Sequence, residues 1–391
     1  MQRPRLSPNR ARPRAFAAAL LALGLLGLGG CVGLSREDYS SEDRTGAVPL
    51  YFRPDAEPPV RLFIDDRERL AMFEAQVERG LQVGPDGRFD VLALSGGGAN
   101  GAFTAGLMSG WTESGNRPDF EVVTGVSTGA LAAPFVFLGP DWDNELADAY
   151  IGGAADGLLR PQGLGAFFGS GIFQDAPLRQ LVERYVDEAM LAAIAEEHRK
   201  GRVLLVATTD LDAQRGVSWD MGAIAAHGGP EAVKLFRDVL VASASVPGVF
   251  PPVLIESSNG GVVFREMHVD GGVTTSFLAL PEDMWSYRDP SGHLRGARLH
   301  VVVNGKLSPS FAVTSDTPQS VLGRSIDVLL RGSLVAALAG NRAFASRNGV
   351  QFRYAAIPDD LDAQPLSFRT ESMRRVYEAG RQGAFSGDIW R

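Results

Sequence analysis

The sequence predicts an α/β fold with a largely parallel central sheet, and three observations support this prediction. Short apolar runs that are typical of buried strands alternate with segments of helical spacing. The first two runs, 89–94 and 120–124, are each followed by glycine-bearing residues and a helix rich in small side chains. The chain of 391 residues is 45% hydrophobic and 21% charged, which excludes wholesale disorder and supplies enough apolar material for a core. Its formal net charge of −8 argues against a nucleic-acid partner, since such proteins need a basic face.

The N-terminal segment has the features of a secretory leader. Residues 1–30 contain five arginines and no acidic residue, and the apolar run from 15 to 30 is short for a membrane span of roughly 20 residues. The run is followed by Cys31, the only cysteine of the chain. This junction resembles the lipobox of bacterial lipoproteins, in which the cysteine is lipidated and becomes the new N-terminus. The alternative is an uncleaved anchor with a buried free thiol.

This resemblance implies a place in the cell as well. The sequence predicts a lipoprotein signal peptide over 1–30, lipidation of Cys31 and attachment to the bacterial cell envelope. Val32, rather than an aspartate, follows the cysteine, which favours the periplasmic side of the outer membrane over the inner membrane. Removing residues 1–30 would change the formal net charge from −8 to −13, because five arginines and no acidic residue are lost.

Composition and periodicity divide the rest of the chain into three parts. Residues 31–88 are expected to be a polar, proline-bearing tether that ends in a lead-in helix over 65–79. Residues 89–285 hold the alternating strands and helices, including a hairpin at Asn259-Gly260. Residues 286–391 are expected to complete the α/β domain, and they show no catalytic pattern. A glycine-rich segment, 152–173, suits either a lid or an ordinary flexible loop.

Two glycine motifs lie where parallel strands end. Gly125-x-Ser127-x-Gly129 stands between a strand and a helix, as a nucleophile elbow requires. The earlier run from Gly96 to Gly101 also fits a dinucleotide-binding fingerprint, but the acidic residue expected at the end of the next strand is absent. The same run could instead be a nest of backbone N–H groups that binds an oxyanion.

A nucleophilic serine needs a proton acceptor; the five histidines are the first candidates, and Asp270 is another. It ends an apolar strand just before Gly271-Gly272, although an aspartate there could equally be a plain turn former. None of the five histidines has a recognisable surrounding motif. Asp210 and Asp212 could suggest a metal pair, but no third ligand is spaced for it, so they are expected to form a loop. Ser243 and Ser245 lack the glycines of an elbow.

Together these motifs resemble the patatin-like phospholipase family. Three blocks match in order, together with Ala-Ser-x-x-x-Pro-x-x-Phe-Pro over 242–251, and the resemblance covers roughly 89–285. Asn100 departs from the arginine that many relatives carry. The resemblance implies a three-layer α/β/α fold. It also implies the following roles: Ser127 and Asp270 catalytic; Gly96, Gly97, Gly98 and Gly101 in the oxyanion loop; and Gly125, Gly129, Gly271 and Gly272 as motif glycines.

The function predicted on this basis is hydrolysis of lipid ester bonds by a Ser–Asp dyad. The enzyme is expected to need no cofactor and no metal, to act on a lipid or membrane substrate and to bind no nucleic acid. Two alternatives stay open: a nucleotide- or phosphate-binding α/β protein that uses Gly96 to Gly101, and an inactive envelope scaffold with the same fold.

Overall fold

The computed structural model describes residues 36–53, 59–66, 71, 75, 83–84, 87–160, 171–280 and 282–391. The predicted signal peptide, Cys31, almost all of the helix expected over 65–79 and the middle of the 152–173 segment lie outside the described residues. Within the described part of the chain, no helix is both long enough and apolar enough to cross a membrane.

The described strands form one sheet whose centre is parallel. The strand order is β1-β7-β8-β5-β4-β3-β9-β10. The last five strands of this order, β5, β4, β3, β9 and β10, run parallel to one another. The other three, β1, β7 and β8, pair antiparallel with their neighbours. β6 pairs antiparallel with both β5 and β2. The strands are β1 Val48–Pro49, β2 Arg61–Phe63, β3 Asp90–Leu94, β4 Val122–Val126, β5 Val203–Asp210, β6 Arg215–Asp220, β7 Val253–Asn259, β8 Val262–Asp270, β9 Arg298–Val303 and β10 Gln351–Ala356.

Helices connect the parallel strands and cover the sheet. The α-helices described are α1 Ser41–Arg44, α2 Ala102–Glu113, α3 Thr128–Leu138, α4 Asp143–Ile151, α5 Ala176–Tyr185, α6 Glu188–Arg199, α7 Met221–His227, α8 Gly229–Ser243, α9 Pro318–Asn348 and α10 Thr370–Ser386. Helices α2, α3 and α10 were predicted closely from the sequence, whereas only the second half of α9 was predicted. Helices α4 to α8 and strand β6 were not predicted.

Side chains of successive strand residues enter two different cores, because they alternate between the faces of the sheet. Leu92 and Leu94 of β3 belong to the larger core, which α2, α3 and α10 also line. Ala93 belongs to a second core with Val301 of β9 and Leu338 of α9. Both faces are therefore covered by helices, and the predicted three-layer α/β/α fold with a largely parallel sheet is confirmed.

The N-terminal segment is not the plain tether that its composition suggested. β1 pairs with β7, and β2 pairs with β6. Arg61 of β2 binds the buried Glu266 of β8 with both terminal nitrogens, one of them at 3.2 Å from Oε1. A segment of low hydrophobicity is therefore attached to the sheet by backbone pairing and ion pairs, neither of which leaves an apolar period in the sequence.

Candidate active site

The ends of β4 and β8 meet along one edge of β5. Ala207 of β5 pairs with Val126 at the end of β4, and the next residue, Thr208, pairs with Asp270 at the end of β8. β6 occupies the opposite edge of β5 at both positions, so β4 and β8 must share an edge. Because β4 and β8 approach from opposite directions, the residue that follows β4, Ser127, is brought next to Asp270.

Ser127 has the backbone conformation of a sharp strand-to-helix turn. Its φ of 56° and ψ of −125° are unusual for a residue with a side chain. Both flanking glycines are required by close packing: a Cβ on Gly125 would lie 2.5 Å from the carbonyl oxygen of Gly129, and one on Gly129 would lie 2.5 Å from that of Leu94. The strained serine therefore stands at the N-terminus of α3, as the motif predicted.

A buried serine on another segment holds this turn in place. The backbone N–H of Ser127 donates to Oγ of Ser243 at 3.0 Å, and that hydroxyl donates to the carbonyl of Ala207 at 2.7 Å. Two residues further on, the carbonyl of Ser245 accepts the backbone N–H of Asp270 at 3.0 Å. The end of α8 thus touches both candidate catalytic residues through backbone groups. From the sequence, Ser243 and Ser245 were candidates only as nucleophiles, and this supporting role was not predicted.

The glycine run lies against Ser127. A Cβ on Gly96 would be 3.1 Å from Cβ of Ser127, and one on Gly101 would be 2.1 Å from Oγ1 of Thr128, the next residue. No described residue accepts a hydrogen bond from the backbone N–H groups of Gly97 or Gly98. Donors left open beside a serine are what an anion or an oxyanion needs.

Two residues from beyond residue 285 support the glycine run. Asn304, directly after β9, is fully buried; its Nδ2 donates to the carbonyl of Ser95 at 2.8 Å, and its Oδ1 accepts from Oγ1 of Thr104 at 2.7 Å. Pro365 accepts the backbone N–H of Ala99 at 2.8 Å. The C-terminal part therefore shapes the site as well as completing the sheet. Asn304 could have been found from the sequence, because it is polar and ends an apolar strand at the same edge.

Asp270 is buried, and one of its carboxylate oxygens has no hydrogen-bond partner among the described residues. Oδ1 accepts the backbone N–H of Gly272 at 2.7 Å, whereas Oδ2 makes no hydrogen bond with the described residues. Burial raises the pKa of Asp270 to about 7, an effect that the Ser127 hydroxyl and the Gly272 N–H partly offset. At neutral pH the group can therefore either hold or accept a proton.

The other candidates from the sequence lie away from this chemistry. Nδ1 of His268 bonds Oγ1 of Thr208 at 2.9 Å, and none of the five histidines forms a hydrogen bond with Ser127. Asp210 accepts the backbone N–H groups of the turn after β5, as a loop former does, and it also binds Arg44 at 3.0 Å. Among the described residues, no cluster of three histidine, cysteine or acidic side chains is placed to hold a metal ion.

A serine on a strand-to-helix turn, next to open backbone N–H groups, places this chain in the class of α/β proteins built around a nucleophile elbow. The family follows from the sequence comparison. Residues 92–281 match the patatin-like phospholipase family model, and this part of the chain belongs to that family.

Two solved structures of low sequence identity are similar in fold. The fold is similar to that of VipD from Legionella pneumophila, with 12% identity, a TM-score of 0.39, and coverage of 80% of this chain and 70% of that one. It is also similar to the type III effector protein ExoU, with 15% identity, a TM-score of 0.26, and coverage of 76% of this chain and 52% of that one. No curated protein sequence matched the chain.

Proposed function

We propose that this protein is a serine acyl hydrolase that cleaves lipid ester bonds with a Ser127–Asp270 dyad. The observation that carries the proposal is the meeting of β4 and β8 on one edge of β5, which sets Ser127 beside a buried carboxylate. Membership of residues 92–281 in the patatin-like phospholipases supports the lipid as the class of substrate.

The proposed reaction proceeds in two halves. Oγ of Ser127 attacks the ester carbonyl while its proton passes to Oδ2 of Asp270, the oxygen that makes no hydrogen bond with the part of the chain described. The backbone N–H groups of Gly97 and Gly98 stabilise the oxyanion. The ester C–O bond then breaks, Asp270 returns the proton to the leaving alcohol, and an acyl-Ser127 remains. A water molecule attacks this acyl group by the same route in reverse and releases the fatty acid.

The environment of Asp270 makes it suited to this role. A carboxylate with its ordinary pKa near 3.9 is a weak base at neutral pH. Burial raises the pKa of Asp270 to about 7, so it gains proton affinity while still ionising near neutrality. General bases work best when their pKa lies near the working pH.

The alternatives have less support. Dinucleotide binding needs an acidic side chain at the end of β4, but that strand ends at Val126. The nearest acidic residue of that segment, Glu121, binds the backbone N–H of Asp90 at 2.6 Å, at the other edge of the sheet. An inactive scaffold would have no need for the strained backbone of Ser127, which is costly to maintain.

The test uses a water-soluble short-chain nitrophenyl ester and a fluorophosphonate probe. We expect wild-type protein to hydrolyse the ester and to be labelled at Ser127. Ser127→Ala should lose both properties, and Asp270→Asn should lose at least about 100-fold in rate. Near-wild-type rates in either folded variant would contradict the dyad, and nucleotide-induced stabilisation without labelling would favour the phosphate-binding alternative.

We also propose that Cys31 carries a lipid and that the protein is anchored in the cell envelope. The support is the arginine-rich, acid-free leader that ends at the only cysteine. Incorporation of labelled palmitate in cells should be lost in Cys31→Ser. Equal labelling of both proteins would contradict the proposal.

A further inference from the structure

Helix α9 is much longer than the strands that it connects. Its 31 residues, Pro318–Asn348, span about 46 Å, whereas the six residues of β9 span about 20 Å. Its buried side chains begin at Leu334 and continue to the end of the helix, and no described side chain before Leu334 is buried. The first half of α9 therefore projects past the sheet.

This projecting half carries apolar side chains in water. Val328 is 52% exposed and Leu329 is 71% exposed, and Val321 and Leu330 are exposed as well. In the segment before the helix, Phe311 is 95% exposed. We call Phe311, Val313, Val321, Val328 and Leu329 the apolar strip. Leaving such side chains in contact with water is unfavourable unless something else covers them.

The apolar strip faces away from the protein core. Arg331 and Asp327 lie three and seven residues before Leu334, so they continue the face that the second half of α9 buries, and Leu330, four residues before Leu334, lies on that face too. Val321, Val328 and Val335 are seven residues apart, and all three are exposed. Val321 and Val328 therefore lie on a different face of α9 from the one that is in line with the core.

The projecting half lies on the same side of the sheet as Ser127. α9 follows β9, which is parallel to β4, so its first half starts from the edge where β4 ends. Oγ of Ser333, in the middle of α9, accepts a hydrogen bond from Ser276 at 3.1 Å. Ser276 lies six residues after Asp270. The apolar strip thus begins beside the candidate active site.

A second apolar projection rises from the same edge. His268 of β8 pairs with Asp210, the last residue of β5. The six residues of β8 that precede His268 therefore continue past the end of β5 for about 20 Å, as far as Val262 at the hairpin turn. At this tip Val262 and Val263 are about half exposed. In the strand order, β8 lies on one side of β4 and β5, and β9, which leads to α9, lies on the other. The hairpin tip and the projecting half of α9 therefore flank the site.

The N-terminal segment reaches this edge too. Both terminal nitrogens of Arg36 bind the carboxylate of Asp212, at 2.5 and 2.7 Å, in the turn that follows β5. Arg36 is the fifth residue after Cys31 in the sequence, and five residue steps span at most about 18 Å of extended chain. A lipid on Cys31 would enter the membrane on the side of Ser127.

We propose that this edge of the protein docks on a lipid surface, with the apolar strip and the hairpin tip entering the interface. The choice of a lipid surface as the occupant rests on the proposed function and on the position of Arg36. The chain has a formal net charge of −8, so the docking uses apolar burial rather than attraction to anionic headgroups. The site would then open toward the ester bonds of the bilayer.

The first experiment measures insertion directly. In the full chain with Cys31→Ser, Leu329→Cys carries an environment-sensitive fluorophore, and Asp327→Cys, on the opposite face of the same helix turn, is the matched control. With phosphatidylcholine vesicles we expect a blue shift at position 329 and none at 327. No shift at 329, or equal shifts at both positions, would overturn the proposal. A concentration-dependent shift at 329 without vesicles would also overturn it, because a second copy would then cover the strip.

The second experiment separates docking from chemistry. Val328→Glu with Leu329→Glu should reduce hydrolysis of phosphatidylcholine vesicles at least about tenfold and leave hydrolysis of a soluble ester unchanged. An unchanged rate on vesicles would contradict the proposal. If wild-type protein hydrolyses neither substrate, the proposed function fails, and the fluorescence result still decides whether the edge docks on lipid.

Discussion

The side-chain oxygen of Ser243 lies 3.0 Å from the backbone nitrogen of Ser127 and accepts its N–H. The same hydroxyl donates to the carbonyl of Ala207, on the strand between the two candidate catalytic residues. A strained turn persists only if its surroundings hold it. We therefore expect Ser243 to be a positioning residue, which fixes the backbone of the proposed nucleophile.

We predict that Ser243→Ala lowers kcat for a soluble ester by between about 10- and 100-fold. The substitution leaves the buried N–H of Ser127 without an acceptor, a loss worth about 1–3 kcal/mol that the turn can relieve by moving. KM should change little, because the substrate-binding surface is unaltered. Steady-state kinetics and the rate of fluorophosphonate labelling measure the effect.

Ser245→Ala is the matched control for this prediction. Ser245 is equally buried, but its hydroxyl donates to the carbonyl of Val241 within the same segment, at 2.8 Å. Its contact with Asp270 uses the backbone carbonyl, which alanine retains. Equal losses of kcat in the two variants would argue for a general packing defect and against a positioning role.

The pH dependence of the reaction should report Asp270. Burial raises the pKa of this carboxyl to about 7, and only the ionised form can accept the proton of Ser127. We predict that kcat/KM for a soluble ester rises about tenfold per pH unit below pH 7 and levels off above it. A midpoint near pH 4 would indicate a solvated carboxylate and contradict the proposed role of burial.

The same pKa shift has a consequence for stability that checks it independently. A folded-state pKa above the unfolded value means that stability is lost as the pH rises from 3.8 to about 7, where the buried group must ionise. Asp270→Asn avoids this cost, so its melting temperature relative to wild type should increase across that range.

The spacing between Gly98 and Pro365 gives a fourth prediction. Gly98 has a φ of 57°, and a Cβ there would lie 2.2 Å from the carbonyl oxygen of Pro365. Gly98→Ala must therefore shift the loop that we propose to bind the oxyanion. We predict a loss of about 100-fold in kcat, the usual effect of a displacement of about 1 Å in a catalytic group.

Gly115→Ala separates the steric contact from the backbone conformation. Gly115 has a similar φ of 72°, but nothing lies within 4 Å of the Cβ it would gain. Both variants should lose roughly 1–2 kcal/mol of stability from the left-handed backbone, and only Gly98→Ala should lose activity. Full activity in Gly98→Ala would show that the loop does not take part in the reaction.

The positions of Ser127 and Asp270 could be predicted because their signals are local. A serine between two glycines, and an aspartate at the end of an apolar run, each stand next to the strand that positions them. The central strands were found for the same reason: buried parallel strands are continuous apolar runs bounded by turns.

The supporting residues could not be found in this way, because their partners are distant in the chain. Ser243 lies 116 residues from Ser127, and Asn304 lies 200 residues from Thr104. A buried serine in a helix of small residues is indistinguishable from a packing residue until the fold is known. The attachment of the N-terminal segment to the sheet was not predicted, because ion pairs at irregular spacing leave no periodic pattern.

The last prediction concerns the attachment of the N-terminal segment to the sheet. Burial alone would raise the pKa of Glu266, but the charge of Arg61 and hydrogen bonds from His268 and Arg61 hold it well below its usual range. Arg61→Met leaves a buried carboxylate short of a partner and should cost about 3–5 kcal/mol of unfolding free energy at pH 7. Because the folded-state pKa is depressed, this loss should shrink as the pH falls and Glu266 becomes protonated.

The matched control is Arg381→Met, which breaks a largely exposed pair with Glu113. It should cost less than about 1 kcal/mol of unfolding free energy, and urea titration measures both variants. A loss in Arg61→Met as small as that in Arg381→Met would mean that the N-terminal segment contributes little to the stability of the fold.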